Sequence, residues 1–78
     1  MTADQAIEMI ITELRAAEKK HPGWPEDVIH AVAILTEESG EAMKEAIDIF
    51  YTGKPTDGLK KELAQTVAMA IRALINLR

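Results

Sequence analysis

The sequence predicts an all-α protein: a protomer of three helices that assembles into an oligomeric helical bundle. Three observations carry this. Apolar residues recur at spacings of three and four through three segments, which are separated by Gly- and Pro-containing breaks. No stretch alternates polar and apolar as a half-buried strand does, and there are no repeats or low-complexity stretches. The hydrophobic content is 47%, supplied mostly by Ala, Ile, Leu, Val and Met, with one Trp, one Tyr and one Phe. In 78 residues, read as one domain over 1–78, that is more apolar surface than one small core encloses. Large exposed apolar patches are unusual on monomers, so a homodimer or homotetramer is expected.

The first helix opens at Thr2, with Gln5 three residues on in a capping-box pattern. Ala6, Ile7, Ile10, Leu14 and Ala17 keep helical spacing as far as about Lys20, where His21-Pro22-Gly23 stops it. The second helix is expected from about Pro25 to about Tyr51, with Glu26 and Asp27 in its first turn to complement the dipole. Gly53 and Pro55 end it. The third starts near Thr56 or Asp57, either able to cap it, and runs on through Leu59, Leu63, Val67, Ala70, Ile71 and Leu74.

Net charge is −4, and the basic residues are scattered apart from Lys19-Lys20 and Lys60-Lys61. A nucleic-acid-binding face needs a clustered basic footprint, so none is expected. No run approaches the roughly 18 apolar residues of a membrane span, and the first residues lack the pattern of a signal peptide. A soluble cytoplasmic protein without membrane contact is the expectation. There is no Cys, which excludes disulfides and thiolate metal sites.

Two acidic patterns interrupt the apolar helices: Glu37-Glu38-Ser39-Gly40-Glu41 and Glu62-Leu63-Ala64-Gln65. Residues three apart share a helix face, so Glu38 points with Glu41, and Glu62 with Gln65. On a helical wheel Glu41 and Glu45 lie within about 60° of Glu38, and Ala31, Leu35, Ala42 and Ile49 lie within about 60° on its other side. On the third helix Gln65, Met69 and Asn76 fall within about 60° of Glu62. Both polar stripes thus border packing faces. Two helices facing each other through them bring three carboxylates and an amide together. Unpaired carboxylates are costly to bury, and a hard divalent cation relieves that cost. Gly40 lies nearly behind Glu38 on the wheel, and a Gly inside a helix costs about 1 kcal/mol against Ala. The expectation is that another helix crosses closely there, the alternative being a glycine with no such role.

These residues resemble the MazG-like, all-α nucleoside triphosphate pyrophosphohydrolase superfamily. Its signature is Glu-Glu-x-x-Glu on one helix and Glu-x-x-Asp on the next. Glu37-Glu38-Ser39-Gly40-Glu41 matches the first part, and Glu62-Leu63-Ala64-Gln65 matches the second except at its last position. The twenty intervening residues suit the family. The resemblance covers roughly Ile34 to Leu77, and His21-Pro22-Gly23-Trp24-Pro25 is similar to the stretch ahead of the motif helix in small phage and cassette-borne members.

The resemblance implies a single MazG-like domain that hydrolyses a nucleoside triphosphate to monophosphate and pyrophosphate. It implies Mg²⁺, with Mn²⁺ as a substitute, held by Glu38, Glu41 and Glu62, with Gln65 at the family's Asp position. An amide carbonyl ligates Mg²⁺ or Ca²⁺ but carries no negative charge. Glu37 lies about 100° from Glu38 on the wheel, placed either to accept a proton from the attacking water or to face solvent. Glu37 and Glu38 are therefore the catalytic candidates. Trp24 suits either base stacking or capping of the bundle; His21 is the histidine better placed to meet substrate, since His30 lies within a helix, and a plain loop histidine is the stronger alternative. Lys44, Lys61 and Arg72 are phosphate candidates, Lys61 and Arg72 falling on the polar side of the third helix; solvated lysines are the plainer alternative for Lys44 and Lys61. Two other functions fit the same chain: a nucleotide- and metal-binding relative with little catalysis, and a plain helical oligomerisation module.

Overall fold

A computed structural model describes residues 1–77 of the chain as three helices: α1 (Ala3–Lys20), α2 (Val28–Thr52) and α3 (Asp57–Asn76). Among the described residues there is no strand. No described helix is long and apolar enough to cross a membrane.

The predicted capping box starts α1: the Gln5 amide donates to Thr2 Oγ1 at 3.1 Å, and the Thr2 amide donates to Gln5 Oε1 at 2.8 Å. α2 begins three residues later than expected. Asp27 is its N-cap, accepting the Ile29 amide at 2.8 Å, so Pro25, Glu26 and Asp27 lie outside the helix. The cause is twofold. An Asp side chain satisfies an orphan amide best from the cap position, and Trp24, preceding a proline, is biased toward extended backbone. At the other end, Gly53 takes the left-handed conformation at φ 69° and its amide donates to the Ile49 carbonyl at 2.9 Å. That is the C-terminal signal read from the sequence. Thr56 holds the N-cap position of α3, but its side chain makes no capping hydrogen bond.

α3 is the middle of the molecule. It packs against both α1 and α2, while α1 and α2 do not pack on each other. α2 runs antiparallel to α3: Val28 and Ala31 share a cleft with Ala73 and Asn76, and Glu45 meets the start of α3. α1 runs parallel to α3, since its first turns share a groove with Lys60 and Leu63 and its last with Met69 and Arg72. The result is a layer 42 × 26 × 20 Å in extent, ordered α1–α3–α2.

Alanines make this layering possible. Ala31 and Ala42 of α2, Ala64 and Ala68 of α3 and Leu14 of α1 are the buried apolar residues, and Ala68 is wholly inaccessible. Small side chains let α3 take a helix on either side. Gly58 serves the same end: a Cβ there would stand 3.0 Å from Glu45 Oε2, where α3 leaves the turn close against α2. Lys54 closes that turn with ion pairs to Glu45 at 2.9 Å and Asp48 at 3.6 Å.

Gly40 does not behave as expected. A Cβ there would meet nothing within 4 Å, so no helix of the same chain crosses behind Glu38. The reason is the layer order: α2 is an outer helix, and its far side faces away from α3 and α1.

Candidate functional site: a cleft between α1 and α2

Because α1 and α2 stand apart, a cleft of about 350 Å³ opens between them with α3 as its floor. Glu13, Ala17 and His21 line it from the α1 side, Glu38 from α2, and Lys61, Gln65, Met69 and Arg72 from α3. Glu38, Glu62 and Gln65 are half-buried, whereas Glu37 and Glu41 are exposed. Glu38's carboxyl is pushed above its ordinary range, first by burial and then by the charges of Glu62, Glu37 and Glu41. Glu38 and Glu62 thus share one region between α2 and α3, close enough to oppose each other's ionisation.

The predicted ligands fit a hard cation in donor chemistry, being oxygen donors throughout. Among the described residues, however, no three His, Cys, Asp or Glu side chains are gathered closely enough to hold a metal ion. Gln65 is turned elsewhere: its Nε2 donates to Glu13 Oε2 on α1 at 3.3 Å. Glu13 was not among the residues singled out from the sequence. It reads as one acid among many on an amphipathic helix, and only the parallel packing of α1 on α3 brings it to Gln65.

Arg72 occupies a different environment from the one the wheel assigned. It lies on the side of α3 that faces the gap between α1 and α2, which reads as polar when α2 is the only neighbour considered. α1 and the α1–α2 connection cover that side, and Arg72 is only 5% exposed. Its guanidinium donates to the His21 carbonyl, and to the Gly23 carbonyl at 3.1 Å, and lies 4.9 Å from the centroid of the Trp24 ring. A cation over an indole face is attractive. Arg72 therefore ties the α1–α2 connection to the end of α3 while also bordering the cleft. Trp24 faces a second cleft of about 410 Å³, with Pro25, Val28, Ala73 and Asn76, and does not line the acidic one. His21 and Lys61 are exposed at the rim of the acidic cleft. Lys44 is exposed on α2 and lines neither cleft.

In comparisons with family models, curated proteins and solved structures, nothing matches the chain.

Proposed function

We propose that the protein is a Mg²⁺-dependent nucleoside triphosphate pyrophosphohydrolase of the MazG-like kind, cleaving a nucleoside triphosphate and water to a monophosphate and pyrophosphate. The observation that supports this best is the half-buried Glu38 beside Glu62, at a cleft whose rim carries Lys61 and whose floor carries Gln65 and Arg72. Glu38, with Glu62 near it but outside the cleft lining, and the cations of the cleft suit a polyphosphate that arrives with a divalent ion. Glu38, Glu41 and Glu62, with the Gln65 carbonyl, would hold the ion once their side chains are rearranged around it. When bound, Mg²⁺ neutralises phosphate oxygens and orients the attacking water. Lys61 would pair with a phosphate, and Arg72 would lend positive potential from the floor. Exposed Glu37 would accept the proton lost by water as it attacks the α-phosphorus. His21 at the rim and Trp24 beyond it would meet the nucleoside. The enzyme would act as a cytoplasmic homodimer or homotetramer that clears unwanted nucleotides.

A second reading rests on Gln65. With an amide at that position, already bonded to Glu13, the site has one negative charge fewer than the family's pattern. A nucleotide- and metal-binding protein with little turnover follows from that.

One experiment separates these readings. The chain is incubated with mixed deoxynucleoside triphosphates and Mg²⁺, and pyrophosphate is assayed. Release of pyrophosphate, abolished by Glu38→Gln and by Glu41→Gln, supports the hydrolase. Mg²⁺-dependent nucleotide binding without pyrophosphate supports the binding protein. Neither binding nor release leaves a helical oligomerisation module.

A further inference from the structure

The acidic motif departs from the family pattern at one place, Gln65, and the structure pairs that place with a residue of α1. Gln65 Nε2 donates to Glu13 Oε2 at 3.3 Å, and both side chains are half-buried in the lining of the cleft that Glu38 shares. We propose that Glu13 is a positioning residue of this cleft: by holding the nitrogen of the Gln65 amide, it leaves the Gln65 carbonyl oxygen to face the divalent ion. The inference deepens the ion site proposed above and rests on that reading. It adds a third helix to a site that the sequence pattern builds from two.

The chemistry of the pair selects the orientation. An ionised carboxylate only accepts hydrogen bonds, whereas a primary amide donates through nitrogen and accepts through oxygen. Glu13 therefore attracts the nitrogen of Gln65 and repels its carbonyl oxygen. Without such a partner the two ends of the amide exchange by a half-turn of the last side-chain torsion, which is broad and roughly two-fold. One of those two arrangements shows a cation the NH₂ group, which has no lone pair to give it. With Glu13 in place, the oxygen is the end left over. It accepts no hydrogen bond from the described residues, and it is not sealed from solvent. An amide oxygen is an ordinary ligand of a hard cation.

The backbone fixes the pairing. α1 runs parallel to α3 with the same rise per residue, so an offset set at one level holds along the contact. Glu13 and Gln65 stand 52 residues apart in the chain. Two turns further on, His21 and Arg72 stand 51 apart, and the Arg72 guanidinium donates to the His21 carbonyl. Leu14, buried next to Glu13, pins α1 at that level. Among the described residues no cation forms an ion pair with Glu13, so its charge is left to the amide.

The same pair accounts for the glutamine. An Asp at position 65 would meet Glu13 with like charge and leave it without a donor. The charge absent from position 65 stands instead on α1, one side chain further from the ion.

The test uses the whole chain, with Mg²⁺ alone as the probe. Glu13→Ala and Glu13→Gln remove the same charge, but only the second keeps an acceptor for the Gln65 nitrogen. Partners that orient a metal ligand are typically worth about 10–100-fold in metal affinity. Glu13→Ala should therefore weaken Mg²⁺ binding on the order of tenfold, read from the rise in melting temperature across a Mg²⁺ titration, while Glu13→Gln should keep most of the response. Both should retain their helical circular dichroism, since Glu13 is only half-buried. The second readout is the amide itself. Gln5, Gln65 and Asn76 carry the only side-chain NH₂ groups of the sequence, and Gln65→Asp identifies the Gln65 signal by its loss. In nitrogen–proton NMR spectra that signal should move with Mg²⁺ in the unaltered chain and in Glu13→Gln, and stay nearly still in Glu13→Ala. Equal losses in the two Glu13 variants would overturn the inference, because charge alone would then account for them. A Gln65 signal that ignores Mg²⁺ while the chain is stabilised by it overturns the inference and leaves the hydrolase reading standing. No response of the unaltered chain to Mg²⁺ overturns both the inference and the ion site it rests on. Pyrophosphate release is assayed separately: a chain that binds Mg²⁺ in this way but releases none keeps the inference and loses the hydrolase reading.

Discussion

Gln65 on α3 donates its side-chain amide to Glu13 on α1 at 3.3 Å. The bond places the variant position of the acidic motif at the α1–α3 contact and gives it a partner that only an amide, not a carboxylate, can satisfy. It also lies on the floor of the cleft that Glu38 lines from α2.

Gln65→Asp should therefore destabilise the chain in the absence of metal. A shorter carboxylate loses the donor to Glu13 and adds repulsion toward Glu13 and Glu38. Loss of one such bond costs about 1 kcal/mol, which for a domain of this size lowers the melting temperature by roughly 4–8 °C. If Gln65 belongs to the ion's surroundings, added Mg²⁺ should raise the variant's melting temperature more than the parent's, because a fourth carboxylate adds attraction once a cation is present. Thermal melts with and without Mg²⁺ read both effects. An unchanged metal response would remove Gln65 from the proposed site.

Stability should depend on pH through Glu38. Its carboxyl is held above the usual 4.5 by burial first and by Glu62, Glu37 and Glu41 after it. The folded chain keeps a proton there that the unfolded chain has released. Stability from this group is then full below the usual value, falls as pH rises through the raised folded value, and levels off above it. Glu38→Gln should melt higher than the parent at pH 7 and no differently below pH 4.5. Melting curves from pH 4 to 8 test the sign.

Arg72→Met should cost about 2–3 kcal/mol, because it leaves the His21 and Gly23 carbonyls without their charged donor and strips the cation from Trp24. Arg72→Lys should recover only part of this, since an ammonium lacks the planar fork. Urea unfolding gives the difference. A loss below about 0.5 kcal/mol would mean that the α1–α2 connection holds without Arg72.

Ala68→Leu should destabilise by about 1–3 kcal/mol through overpacking, because Ala68 is wholly inaccessible on the helix that packs against both others. Ala33→Leu, on an exposed position of α2, should be near neutral by the same denaturant measurement.

Local chemistry was readable from the residues alone. The Thr2/Gln5 capping box, the stop after Lys20 and the left-handed Gly53 all follow from interactions within a few residues, and the structure contains each of them. The start of α2 was misplaced because two competing local signals, Pro25 and Asp27, stand two residues apart and the stronger cap prevails. The placing of Glu38 beside Glu62 was also readable, since helical periodicity and one short connection are enough to face α2 with α3.

What the sequence by itself determined, then, is three helices, the capping box of the first, the glycine stop of the second and the angular position of each acid on its own helix. These depend on hydrogen bonds and side-chain directions that repeat every few residues. The tertiary structure alone decided that α3 lies in the middle. A wheel drawn for one helix pair cannot show whether its far side meets a third helix or solvent. That single choice buries Arg72 and joins Glu13 to Gln65. It opens the cleft between α1 and α2 and leaves the space behind Gly40 empty. The Arg72 and Glu13 contacts join residues far apart in the chain, and which surfaces pack together to exclude water sets them.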